Sequence, residues 1–223
     1  MQKGRKPMQK LLYKEFNLSI HKFYFIIPFL TGALFLIPQW PFFLALMYFF
    51  FISVPNILSS YNSQNDNSFS IMMPVKKSDI VKSKILAFTI LELTHLATGV
   101  IFALLNIALY KTDNFLFDPN PAFFGIAFTM YGLFNIILFP MYFKTAYSYG
   151  IPTLTASITV VLYITAVELL VLFNGKIAYY LEGGSAESRI VQWIVLIAGI
   201  IIFAALNAAA ARMAAKRFEK VNL

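Results

Sequence analysis

Apolar blocks long enough to cross a bilayer alternate with short polar breaks along most of the chain. The pattern predicts six spans, at 23–38, 41–58, 85–110, 122–143, 151–174 and 190–211. The first two belong to one apolar stretch, 23–58. As a single helix it would run to about 54 Å, against a hydrocarbon core of ~30 Å. It must therefore fold back, and Pro38-Gln39-Trp40-Pro41 supplies the break, with Trp40 suited to the interface. Pro28, Pro55 and Pro140 fall inside spans and are expected to kink them. Residues 7–20 are too short and too charged to cross. Met8, Leu12 and Phe16 recur every fourth position with Leu11 beside them, and Lys10, Lys14 and Glu15 lie elsewhere. That predicts an N-terminal amphipathic interfacial helix feeding span one.

The longest polar interruption is 60–84. It opens on Asn, Ser, Gln and Asp and closes on lysines. Between them lies an apolar knot of Phe69, Ile71, Met72, Met73, Pro74 and Val75. The outer connections are smaller: Pro121 suits a first helical position, Gly183-Gly184 a break, and Ser188 a cap. Nothing repeats between the two halves, so an inverted-repeat carrier has no support.

Composition agrees with the pattern. Of 223 residues, 59% are hydrophobic, 17% aromatic and 13% charged, about half the charged share of soluble domains. The reading is a single all-α polytopic transmembrane domain over 1–223. The net charge of +8 does not form a nucleic-acid surface, because the basic residues flank apolar spans. Of the 18 Lys and Arg, 15 lie before span one, in 60–85, at Lys144 or in the tail. Only Lys111, Lys176 and Arg189 fall on the other side. This bias places both termini and the 60–84 loop in the cytoplasm of a multi-pass plasma-membrane protein. No cleavable signal peptide is expected, since the first apolar run leads directly into the second.

Candidate chemistry is sparse. There is no cysteine, so thiolate metal sites and disulfides are excluded. No phosphate-binding Gly-rich loop, His-Glu-x-x-His or Gly-x-Ser-x-Gly occurs, so neither ATP binding nor a hydrolytic site is expected in this chain. Three ionisable residues lie inside spans: Glu92, His95 and Glu168. A mid-bilayer charge costs ~2.5–3.5 kcal/mol, so each should face protein or water. Glu92 and His95, three apart, share a helix face. Two readings stay open: a polar patch on a translocation pathway, or a neutral Glu bonded to a neighbouring helix. A di-iron site fails for want of a second Glu-x-x-His and further carboxylates. Phe- and Tyr-rich spans face lipid, pack between helices or line a route for apolar cargo. Small residues at 153–159 and 204–211 permit close helix contact.

Six spans, a leading amphipathic helix, no ATP site and the stretch 65–86 resemble the permease subunits of ABC type-2 exporters. Met73-Pro74-Val75, Lys76, Ile80-Val81 and Lys84 are similar to that family's loop between spans two and three. Many members carry an acidic pair early in the loop, where this chain has Asp66 between Asn65 and Asn67. The resemblance implies that Asp66, Phe69, Ile71, Met72, Met73, Pro74, Val75, Lys76 and Lys77 form a coupling helix. That helix would dock on a separate P-loop ATPase subunit, with ATP and Mg on that partner and no cofactor here. Independently, an exposed apolar knot in a polar loop calls for a cover, and methionine adapts to a partner surface. The other reading is that the knot packs under the protein's own helices or dips into headgroups. Ser78 is expected to cap the helix beginning at Asp79. The resemblance also implies a second permease copy, as homo- or heterodimer. The expected cargo is an amphipathic or hydrophobic peptide of the phenol-soluble modulin kind, with drugs, lipids or polysaccharide as alternatives. A rival from another class is an ATP-independent proton-coupled carrier or scaffold using Glu92, His95 and Glu168 as a relay.

Overall fold

All regular structure in the residues described by the computed structural model, 7–110 and 116–221, is helical. Helix α1 (Pro7–Lys14) continues as a π-turn, Glu15–Ser19. The chain then turns by 104° into a broken arm, Lys22–Leu36, in which α2 (Ile27–Gly32) is flanked by two 3-10 pieces. At ~1.5 Å per residue that arm reaches about 22 Å, too short to cross alone. Gln39, at φ 61°, reverses the chain in the expected Pro-Gln-Trp-Pro break.

Helix α3 (Phe42–Tyr48), a π-turn (Phe49–Ser53) and α4 (Val54–Ser63) make one span, Phe42–Ser63. The π-turn ends where Pro55, lacking an N–H, cannot donate back to the preceding turn. Asn65, at φ 51°, then turns the chain into α5 (Asp66–Met72); asparagine tolerates that left-handed conformation better than most residues. Four long helices follow in the order α6 (Lys77–Leu109), α7 (Pro121–Tyr142), α8 (Gly150–Phe173) and α10 (Ala186–Phe218). The short α9 (Gly175–Glu182) sits between the last two, its first turn capped by Asn174. Among the described residues, five stretches are thus long and apolar enough to cross a membrane, or six if the bent first pair counts as one span.

Several local expectations change. Pro28 stands at the first turn of α2, Pro55 lies just after the π-turn that interrupts the Phe42–Ser63 span, and Pro140 lies inside α7. Helix α6 starts at Lys77, with Lys76 as an N-cap whose side chain makes no capping bond, so Ser78 is already helical. Ser185 caps α10, and the Ser188 hydroxyl instead donates to the Tyr179 carbonyl. Helix α1 packs on the bundle, burying Leu11 together with Lys14 and Glu15, while Met8, Leu12 and Phe16 are half-buried. Its inner face is therefore partly charged.

The core runs along α7, the most enclosed helix, which α10 crosses at backbone contact. A Cβ on Gly199 would strike the Gly125 carbonyl, and one on Gly125 the Val195 carbonyl. Gly125 and Gly199 thus let the two helix backbones touch. Stacked and edge-on rings fill the space towards α3 and α6, among them Phe50 on Phe134 at 4.0 Å and Phe88 on Phe139 at 5.4 Å. Most of the dense aromatic content is therefore helix packing.

The four basic segments meet at one end of the bundle. Lys14 contacts Asp66, Asn62 contacts the Tyr147 carbonyl, and Lys77 donates to the Val221 carbonyl at 2.7 Å. We call this the loop end. At ~1.5 Å per residue α6 and α10 each run about 50 Å, so both overshoot a ~30 Å core.

Candidate functional site

Helix α5 presents two unlike faces. Phe69 and Met72, three apart on the outer face, are 54% and 83% exposed. On the inner face Asp66, Asn67 and Ser70 are buried. Asp66 is therefore turned into the protein and differs from the rest of the expected docking set: it holds α5 and does not offer itself to a partner. Met73 lies beyond the helix in extended conformation, so it does not continue the Phe69 and Met72 face. Ile71 and Val75 pack back on the core, Pro74 and Lys76 are exposed, and Lys77 lies over the Phe218 ring at 5.9 Å.

The inner face is held by a buried ionic cluster. Lys14 Nζ lies 2.8 Å from Asp66 Oδ1 and 3.0 Å from Glu15 Oε1, and donates to Ser70 Oγ at 2.7 Å. Lys84 Nζ donates to Asp66 Oδ2, lies 3.5 Å from Glu15 Oε1 and sits 3.4 Å above the Tyr61 ring. Ser19 Oγ donates to Asp66 Oδ1 at 2.6 Å, and Tyr61 OH to Glu15 Oε2 at 2.7 Å. Two cations and two anions make the cluster neutral. Burial alone would raise the Asp66 carboxyl, but Lys84 and Lys14 outweigh it and hold it at about 2. Asn67 extends the grip to α7, donating to Tyr142 OH at 2.8 Å and to the Ala146 carbonyl. One helix of seven residues is thus tied to α1, α6, α7 and the turn after α7.

A second polar cluster lies at mid-bundle. Asn135 Nδ2 on α7 donates to Glu92 Oε2 on α6 and to Asn207 Oδ1 on α10, each at 2.9 Å. Thr89 Oγ1 reaches Asn207 Oδ1 at 3.4 Å. His95 Nδ1 lies 2.9 Å from the Leu91 carbonyl, and its ring packs on Phe49 at 4.8 Å. Glu92 and His95 share a buried face as expected, but Glu168 does not join them. Its Oε2 accepts from Phe117 N at 3.3 Å, just before α7 begins. From Pro121 to Asn135 along α7 is about 21 Å at 1.5 Å per residue. The three side chains therefore do not form one cluster.

Away from the loop end, α6, α7 and α10 enclose an apolar cleft of about 610 Å³, lined by Leu96, Val100, Phe124, Phe128, Leu196 and Ile200. It shares Trp193 and Pro121 with a polar mouth that carries Asp118, Glu182, Arg189 and Gln192.

The sequence reading missed Lys14, Glu15, Tyr61 and Lys84 as cluster members, and Asn135 and Asn207 as partners of Glu92. A signal existed for the asparagines, each the single Asn within its apolar span. A buried amide there demands a polar neighbour. Residues 10–219 match the family model described as ABC-2 family transporter protein. No curated protein and no solved structure matches.

Proposed function

The chain belongs to the ABC-2 family of transporter proteins, and from that premise we propose that it is the permease of an exporter moving amphipathic peptides. As an ABC-2 permease it is a multi-pass membrane component that works with a partner ATPase and is not itself catalytic. Helix α5 is the coupling helix, facing the cytoplasm in line with the 15-to-3 basic bias of the sequence. ATP and Mg bind to the partner ATPase, and two permease copies assemble with it.

The observation that carries this reading is the contrast between the two faces of α5. Its outer face offers Phe69 and Met72 to a groove, and its inner face is bolted to three other elements. A push on the outer face passes through Asp66 to Lys14 and Lys84, and through Asn67 to Tyr142, before any span need bend. Such an element can carry displacement from a motor into α1, α6 and α7. The cleft between α6, α7 and α10, apolar within and polar at its mouth, suits a cargo that has one greasy and one polar side. The separation of Glu168 from Glu92 and His95 weighs against a proton-relay carrier that uses all three.

The test is co-purification of the ATPase with the full chain. Met72→Asp and Phe69→Asp should each abolish capture and ATP-dependent export while leaving thermal stability unchanged, because both side chains are exposed. Undiminished capture by both variants would remove the docking role. Amphipathic helical peptides should stimulate ATP hydrolysis by the intact complex. Failure to do so would exclude that cargo class and leave docking untouched.

A further inference from the structure

The mid-bundle cluster is short of hydrogen. Glu92 Oε1, Asn135 Oδ1 and His95 Nε2 are buried with no hydrogen-bond partner among the described residues, on side chains at most 1% exposed. All three are acceptors. The Leu91 carbonyl facing His95 Nδ1 only accepts, so the ring proton is on Nδ1 and Nε2 bears a bare lone pair. Asn135 cannot be turned round, because exchanging its N and O would set oxygen against both Glu92 Oε2 and Asn207 Oδ1. Asn207 is fixed in turn by donation from its Nδ2 to the Phe203 carbonyl at 3.0 Å. With Glu92 ionised and His95 neutral, the cluster would hold an uncompensated negative charge, which an apolar interior penalises heavily.

We propose that this cluster is a binding site for one proton, held on Glu92 Oε1 and donated to Asn135 Oδ1. A carboxylic acid set beside a carboxamide forms a ring of two hydrogen bonds. The amide N–H donates to one acid oxygen, and the acid O–H donates to the amide oxygen. The first bond is present at 2.9 Å. A proton on Oε1 supplies the second, satisfies two of the three unpaired atoms and removes the charge.

The titratable groups facing Glu92 are His95 on its own helix and Tyr131 from α7. Tyr131 OH is committed to the Leu46 carbonyl at 3.2 Å. Helix α10 contributes Asn207, which does not titrate, and the π-turn before α4 brings Phe49 against His95. None of these brings a cation to Glu92, so the proton is the neutralising group. Parting α6 from α7 breaks the ring and exposes the acid to water. A solvated glutamic acid ionises at neutral pH, so the O–H bond breaks and the proton passes to water. Rejoining the helices takes one proton back. The site thereby makes the α6–α7 contact responsive to protons, whichever cargo is carried.

The test is infrared spectroscopy of the full chain in lipid vesicles at pH 7, in water and heavy water, comparing wild type with Glu92→Gln and Asn135→Leu. Wild type should show a protonated-carboxyl carbonyl band that shifts on deuteration and disappears in Glu92→Gln. In Asn135→Leu the same band should move to higher frequency as the acid loses its amide partner, a response that a carboxyl with only a packing role would not give. The glutamine amide repeats both bonds of the ring, so Glu92→Gln should keep the wild-type unfolding midpoint. Loss of an ionised-carboxylate band in Glu92→Gln would overturn the proposal. So would a nitrogen spectrum showing His95 as imidazolium, or collapse of the Glu92→Gln fold.

Discussion

At the loop end Lys14, Glu15, Asp66 and Lys84 lie within reach of one another, whereas at mid-bundle Glu92 is surrounded by amides, an imidazole and rings. Both regions are closed to solvent and each must be neutral overall. The loop end reaches neutrality with opposite charges carried on separate elements, so its stability depends on α1, α5 and α6 staying together. The middle reaches it with a proton that can leave. The first arrangement suits a joint that must not slip, and the second a contact that opens and closes. The difference also sets what a neutral isostere does: it strips a charge from the first region and harms it, and it replaces an uncharged acid in the second and preserves it.

The largest expected effect follows from that asymmetry. Asp66→Asn keeps the shape but leaves two buried lysines against Glu15 alone, and breaking one partner out of a buried ionic group costs about 3–5 kcal/mol. Glu92→Gln should leave stability unchanged, because the glutamine amide repeats both hydrogen bonds of the ring. Thermal unfolding of both variants in lipid nanodiscs compares them directly, and equal losses would erase the distinction. Next, Lys84→Met removes one cation and the cover of the Tyr61 ring, for about 3 kcal/mol. Adding Glu15→Gln restores neutrality and should recover part of that loss, with a coupling of about 0.5–3 kcal/mol in the double-mutant cycle.

Acid separates the two regions further. Lys84 and Lys14 overcome the effect of burial and hold Asp66 at about 2, below its ordinary 3.8. A carboxyl lowered in the folded state stabilises fully above its unfolded value and loses that contribution as pH falls through the folded one. Stability should therefore drop by about 2 kcal/mol between pH ~4 and ~2. Asp66→Asn should lack this component, whereas Glu92→Gln should retain it, because a Glu92 already protonated at neutral pH gains nothing on acidification. Unfolding midpoints across that window decide the matter, and a wild-type profile shared by Asp66→Asn would show that Asp66 does not bear the acid sensitivity.

Much of the fold was legible because apolar length is a one-dimensional quantity. The five crossing stretches and the reversal at Gln39 follow from hydropathy and proline. The broken first arm was not legible, since Phe, Leu and Ile read the same whether a helix is continuous or interrupted by 3-10 turns. The exposed pair Phe69 and Met72 could be singled out because apolar residues in a polar loop are locally anomalous. Lys14, Glu15 and Lys84 could not, because a charged residue near a helix end ordinarily faces water, and only tertiary contact across 52 residues of separation between Lys14 and Asp66 reverses that. The same limit hid the Glu92–Asn135 pair, although the isolated asparagine in α7 marked one half of it.

The smallest expected effect probes the periphery of the mid-bundle cluster. Asn207→Leu removes the acceptor for the second hydrogen of Asn135 Nδ2 and for Thr89, but leaves the Glu92–Asn135 ring whole. Hydrogen bonds between helices in a bilayer contribute about 0.6 kcal/mol on average, so the unfolding midpoint should move little and Asn135→Leu should cost more than Asn207→Leu. The ordering follows from Asn135 bonding to both neighbours, while Asn207 touches only the outer side of the ring. If Asn207→Leu matched the loss in Asp66→Asn, the middle of the bundle would be held by α10 through a strong polar bond, and α6 would not be free to part from α7 when its proton leaves.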